Sequence, residues 1–165
     1  MNNQSKPQVV EQLREYLQAI VAVMKQSKKE TSKYSGFQEL ILDYGRFMEP
    51  KPLPKNIKRG QPRSCYYNCQ QLALKHSNLT YVEGFAIAAD VSFPLAHAWL
   101  LSPDGYALDP TWETSGNCYL GIPFSTQWVK SVVKLRTQQG HADILSIFEG
   151  NYLEDFSLLK DGFTT

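Results

Sequence analysis

Three prolines fall within five positions, at Pro50, Pro52 and Pro54, and they divide the chain. Each ring fixes φ and removes a backbone donor, so neither a helix nor a central strand runs comfortably through residues 49–60, EPKPLPKNIKRG. The segment reads as an extended connector. Before it, apolar residues recur at helical spacing. After it, the pattern becomes mixed, with β-branched and aromatic runs broken by glycine.

On the N-terminal side, residues 8–27 carry Val9, Val10, Leu13, Tyr16, Leu17, Ile20, Val21 and Met24 on one helical stripe. Residues 35–48 repeat the pattern with Phe37, Leu40, Ile41, Tyr44, Phe47 and Met48. Both stripes are expected to be core faces. On the C-terminal side, residues 64–77, SCYYNCQQLALKHS, read as a helix with Ser64 as N-cap. TYVEGFAIAADV reads as a strand in which Gly84 marks a bulge or a close backbone approach. AHAWLL and YALDPTW read as short strands around the turn SPDG, and TQWVKSVVKLRTQQ as a helix capped by Ser125. ADILSIFE and NYLEDFSLL fit helix or strand equally, and the tail DGFTT is expected to fray.

A length of 165 residues suits one domain over 1–165. The expected fold class is α+β. A helical N-terminal layer (1–48) and a C-terminal extension (126–165) flank a core (60–125) in which a central helix packs on a short antiparallel sheet. Lys and Arg total 17 and Asp and Glu 16, so the net charge of +1 argues against a general nucleic-acid partner. No run approaches the roughly 18 apolar residues of a spanning helix, and no secretory signal is visible. Three cysteines are too few for a disulfide scaffold, which favours a reducing compartment. The expectation is a cytoplasmic protein without a membrane partner, and a protein exported by a signal-independent route would read the same. From 50 to 65 there are five basic residues (Lys51, Lys55, Lys58, Arg59 and Arg63) and no acidic ones. That stretch is either a solvated loop or a positive rim favouring acidic partners.

The chemistry-bearing residues lie around that connector and beyond it. Cys65 follows the turn-forming GQPRS and opens the third helix, where unpaired N–H groups and the helix dipole favour an anion. Arg59 and Arg63 add positive charge, and both effects lower a thiol pKa. Cys69, one turn on, reads as packing beneath Cys65. No spacing among Cys65, Cys69, Cys118 and His76 matches a zinc site, so no metal or other cofactor is expected.

His97 lies in AHAWLL and Asp109 in YALDPTW. Ser102-Pro103-Asp104-Gly105 fits a type I turn with Gly105 left-handed, giving a three-residue loop that ends in a bulge. Ser102 then pairs with Tyr106, and Trp99 faces Asp109. His97 and Asp109 become diagonal neighbours on one face, within side-chain reach. A carboxylate there would orient the imidazole, and the imidazole would take the thiol proton of Cys65.

SCYYNC, YVEGFA, HAWLL and LDPTW together resemble the core of the transglutaminase-like enzymes within the wider papain-like cysteine enzymes, over about residues 60–125. That resemblance implies a nucleophile (Cys65) at the start of a central helix, with its base (His97) and orienting acid (Asp109) on neighbouring strands. Gln61 is an oxyanion candidate, although its spacing from the cysteine is shorter than in the papain branch. The Cys65 backbone N–H is the default donor. Tyr66, Trp99 and Trp112 are substrate-cleft candidates, Tyr67 and Asn68 further contact candidates, and Glu83, if buried, needs a partner. The expected activity is attack on a protein or peptide amide or acyl group through a covalent thioester, as in proteases, glutamine deamidases and transglutaminases. The alternative is a catalytically inactive module of the same fold. It would bind an acidic protein through the basic connector and Tyr66, Tyr67, Trp99 and Trp112.

Overall fold

The computed structural model describes residues 6–28, 32–141, 145–149 and 162–164. Helix α1 (Lys6–Lys25) and helix α2 (Phe37–Tyr44) are followed by short strands β1 (Arg46–Met48) and β2 (Pro50–Lys51). Helix α3 (Cys65–Lys75) precedes β3 (Thr80–Ile87), β4 (Leu95–Leu101), β5 (Ala107–Leu108) and β6 (Cys118–Phe124), and α4 (Thr126–Gln138) follows. Among the described residues no helix is long and apolar enough to cross a membrane.

The expected stripe of α1 is confirmed at Val9, Leu13, Leu17 and Val21, which are buried, whereas Tyr16 is exposed. Helix α2 ends earlier than its apolar pattern suggests. At Gly45 the backbone turns extended, and a Cβ there would meet the Ile41 carbonyl at 2.4 Å. Phe47 and Met48 therefore belong to β1, which pairs antiparallel with β6 through Met48 opposite Tyr119.

The sheet has six strands in the order β1-β6-β3-β4-β5-β2. It is mixed rather than wholly antiparallel, because β2 runs parallel to β5. The connector thus contributes a strand, and Pro50 is tolerated because β2 is an edge strand. Its two outer strands are separated in sequence by Glu49 alone, so the edges of the sheet come together and nearly close a barrel. The Glu49 carbonyl accepts the Ala107 N–H at 2.8 Å beside that seam.

Strand alternation then sorts side chains onto two faces. Met48, Val82, Ala86, Trp99, Leu101, Ala107 and Tyr119 form the smaller core on one face. Tyr81, Phe85, Leu100, Leu120 and Phe124 face the larger core shared with the helices, where α3 packs on β3 and β4. Gly84 opposes Gly121 across β3 and β6, and a Cβ on Gly84 would meet the Leu120 carbonyl at 2.2 Å. The sequence reading of a close backbone approach there is correct.

Strand β6 has no counterpart in the sequence reading, because Gly121 and Pro123 interrupt its pattern. Pro123 lies beyond the end of β1, so its missing donor costs no bond to that neighbour. The tail, expected to fray, is tied down where it is described. Phe163 bridges to Phe124, and the Gly162 carbonyl accepts the Ser125 N–H at 2.7 Å. Helix α4 matches its expected span, with Ser125 Oγ accepting the Trp128 N–H at 3.2 Å. Most of ADILSIFE and NYLEDFSLL lies outside the described residues.

Candidate active site

The turn SPDG behaves as its chemistry requires. Gly105 has φ +86°, its N–H reaches the Ser102 carbonyl at 3.0 Å, and Ser102 N–H reaches the Tyr106 carbonyl at 3.0 Å. The ladder then pairs Leu101 with Ala107 and Leu100 with Leu108, the register read from the loop length. Just beyond it, Asp109 Oδ2 meets His97 Nε2 at 2.8 Å, both side chains buried.

Asp109 is fully engaged. Its Oδ1 accepts the N–H groups of Thr111 at 2.8 Å and Trp112 at 3.0 Å, and Oδ2 also accepts the Tyr119 hydroxyl at 2.9 Å. The Tyr119 oxygen in turn accepts the Gly116 N–H at 2.7 Å. Burial works to raise the Asp109 pKa, but the hydrogen bond and charge of His97 and the two backbone donors bring it below the usual carboxylate value. For His97, burial opposes the charged ring. The Asp109 bond, the nearby Cys65 side chain and the charges of both partners outweigh it, and its pKa rises to about 9. Asp109 occupies Nε2, so Nδ1 is the ring nitrogen open to a second partner. The imidazole also stacks on Trp112, with ring centroids 3.9 Å apart and planes within 10°.

Cys65 is the first residue of α3 and is half-buried. Arg63, at φ 62°, turns the connector sharply into the helix. Ser64 holds the N-cap position, but its side chain makes no capping bond and its hydroxyl reaches the Pro62 carbonyl at 3.4 Å instead. The expected capping role is therefore corrected. The first-turn N–H groups are left without a side-chain cap next to the sulfur, at the positive end of the helix dipole.

Three residues fix the connector over this helix start. The Asn68 amide accepts the Gln61 N–H at 3.1 Å and donates to the Gln61 carbonyl at 2.7 Å and to Thr111 Oγ1 at 3.0 Å. Gly60 lies so close to Asn68 that a Cβ would fall 2.1 Å from its amide carbon. Arg59 donates to the carbonyls of Asp109, Trp112 and Glu113, lacing the connector to the loop that carries Asp109.

The other sequence candidates divide clearly. Gln61 is held through its backbone, with an exposed side chain beside the turn. Trp112 is half-buried and stacked on His97. Tyr66 is half-buried and packs against the main core, and burial, with Glu83 and Cys65 nearby, pushes its phenol pKa upward. Tyr67 is exposed. Trp99 is fully buried in the smaller core with Nε1 directed at Met48 Sδ, 3.2 Å away, so it walls no cleft and offers no binding surface. Asn68 is likewise buried and committed to Gln61 and Thr111 rather than to a substrate.

Cys69 is buried beneath the site, and burial, with Asp109 and Cys65 nearby, raises its thiol pKa. Of the five basic connector residues, Lys51 has its charge offset by Asp104 at 2.7 Å, whereas Arg59 keeps its charge while donating to backbone carbonyls. Buried Glu83 has its partners: Tyr81 hydroxyl and Ile147 N–H, each at 2.7 Å, together with Ser146 Oγ and the Phe148 N–H. Tyr119, Thr111 and the lacing role of Arg59 were missed. Tyr119 carried no signal, because it lies in the unrecognised strand. Asn68 did carry one, as a polar residue between two cysteines on a helix face expected to be buried.

No family model, curated protein or solved structure matches the chain.

Proposed function

We propose that the chain is a cysteine enzyme that cleaves or transfers the acyl group of a protein or peptide amide. The observation that carries this reading is a half-buried Cys65 at the start of α3, close enough to a buried His97 to raise its pKa, with Asp109 holding that ring at Nε2. A pKa of about 9 keeps His97 protonated at neutral pH, so the ring acts as the acid for a leaving amine. In the first half-reaction the Cys65 thiolate attacks the amide carbon and forms a C–S bond. The C–N bond breaks, and the leaving nitrogen takes the proton from His97. The Cys65 backbone N–H, in the uncapped first turn, is placed to receive developing negative charge on the carbonyl oxygen.

In the second half-reaction water gives a proton to neutral His97 as its oxygen attacks the thioester carbon. The C–S bond breaks, the sulfur leaves as a thiolate, and His97 is left holding the proton. The net change is amide plus water giving acid plus amine. An amine in place of water gives transfer, and the same residues serve both. The order of nucleophile, base and acid resembles the transglutaminase-like enzymes, which supports acyl chemistry in general without choosing the acceptor.

The test is alkylation by iodoacetamide at pH 6.5, followed by intact-mass and peptide mapping. Cys65 is expected to label first, and His97→Ala to slow its labelling by about tenfold or more. Equal rates in the two proteins would overturn the assignment.

A further inference from the structure

A groove of about 510 Å³ opens beside the triad, and three separate segments that carry triad residues build its wall. Arg63 lies two residues before Cys65, Leu95 two before His97, and Trp112 three after Asp109. The loop between β3 and β4 closes the other side with Asp90 and Val91, and Glu113 follows Trp112. Val91, Leu95 and Trp112 are half-buried and supply an apolar floor. Asp90, Glu113 and Arg63 are exposed, and none of their side chains has an ion-pair or hydrogen-bond partner among the described residues.

The groove therefore offers two unpaired carboxylates against one guanidinium. The remaining connector bases do not change that balance. Lys51 is paired with Asp104, and neither Arg59, which keeps its charge while donating to backbone carbonyls, nor Lys55 nor Lys58 lines the groove. This is the reverse of the acidic-partner preference that the basic run 50–65 suggests in sequence. An apolar floor with carboxylates at its rim suits a long side chain with an aliphatic stem and a cationic tip.

We propose that this groove receives a lysine or arginine side chain of a polypeptide substrate whose reacting amide lies at Cys65. The proposal rests on the acyl-transfer reading of Cys65 and names the substrate class it would take. The stem lies along Leu95, Val91 and the edge of Trp112, and the cation is drawn to Asp90 and Glu113. Because Trp112 also stacks on His97, filling the groove places the substrate backbone next to the base.

The test uses tripeptide chloromethyl ketones, with a single lysine or a single glutamate at each position before the reactive glycine. The Cys65 thiolate forms a C–S bond to the methylene carbon and chloride leaves. Labelling is followed by intact mass in the wild type and in the double variant Asp90→Asn, Glu113→Gln. One lysine position is expected to label about fivefold faster than its glutamate counterpart, the scale of exposed charge pairs. The double variant should bring that ratio within about twofold, and 0.5 M salt should shrink it in the wild type. Reading ratios between matched probes removes any general change in reactivity. A ratio near unity at every position, or one that survives the double substitution, overturns the groove assignment. If iodoacetamide labelling depends on His97 while the ratio stays at unity, the groove alone is wrong. If labelling is indifferent to His97, the acyl-transfer reading and the groove fall together.

Discussion

Replacing Asp109 by Asn should collapse the charge state of the buried histidine. In the wild type, burial pushes the His97 pKa down, and the Asp109 carboxylate, 2.8 Å from Nε2, does most to reverse it. Asparagine keeps an oxygen for the Thr111 and Trp112 N–H groups but supplies no negative charge. With the largest offset to burial removed and only the Cys65 contribution left, the ring should titrate well below about 9, toward its ordinary value of 6.5. The stability consequence has a definite sign. The folded protein holds the His97 proton up to about pH 9, whereas the unfolded chain releases it near 6.5. Between those values folding takes up a proton, so the stabilisation is complete below 6.5 and is lost as pH rises through 9. The difference corresponds to about 3 kcal/mol. Asp109 behaves in the opposite sense. Its lowered pKa gives a contribution present at neutral pH and lost on acidification through its folded value. Histidine ring NMR across pH 5 to 10, with His97→Gln for assignment, reads the midpoint. Urea unfolding at about pH 6 and about pH 9.5 reads the stability. The wild type should lose about 3 kcal/mol over that range and Asp109→Asn much less. A wild-type midpoint at or below 6.5, or an unchanged midpoint in the variant, would refute the coupling.

Two further outcomes follow from burial. Native protein at about pH 8 should take one alkyl group, on Cys65, and three only after unfolding. Burial pushes Cys118 up to about 12 and, with Asp109 beside it, raises Cys69 as well. Native-state labelling of Cys69 at the Cys65 rate would contradict this, as peptide mapping can detect. Glu83→Ala should cost about 3 kcal/mol, because it strands the buried donors of Tyr81, Ser146 and Ile147. Hydrogen exchange at the Ile147 and Phe148 amides should accelerate with it, and unchanged exchange would deny Glu83 its anchoring role.

The residues that meet at the site were legible where the determining physics is local. A three-residue loop fixes the hairpin register, and register fixes which side chains share a face. The meeting of His97 and Asp109 was therefore contained in SPDG and the counting on either side of it. The position of Cys65 at a helix start was likewise written in the break at GQPRS and the pattern after it.

What lay beyond the sequence is what depends on distant chain. Phe47 and Met48 fit a helical stripe, and only pairing with Leu120 and Tyr119 makes them a strand. Trp99 and Trp112 look alike in sequence. Barrel closure seals one inside against Met48 and leaves the other at the groove, because which face is covered is decided by what packs on it. Tyr119 reaches Asp109 because β6 crosses the sheet to lie beside β3, a neighbour relation that its own interrupted pattern does not encode. The basic connector counts as positive in composition, yet Lys51 is offset by Asp104 and Arg59 is turned onto carbonyls about fifty residues away, so the charged residues lining the groove are Asp90, Glu113 and Arg63. Local sequence thus set the register and the chemical types at the site. Tertiary contact decided which charges remain free, because pairing and burial are properties of the neighbours a side chain acquires on folding.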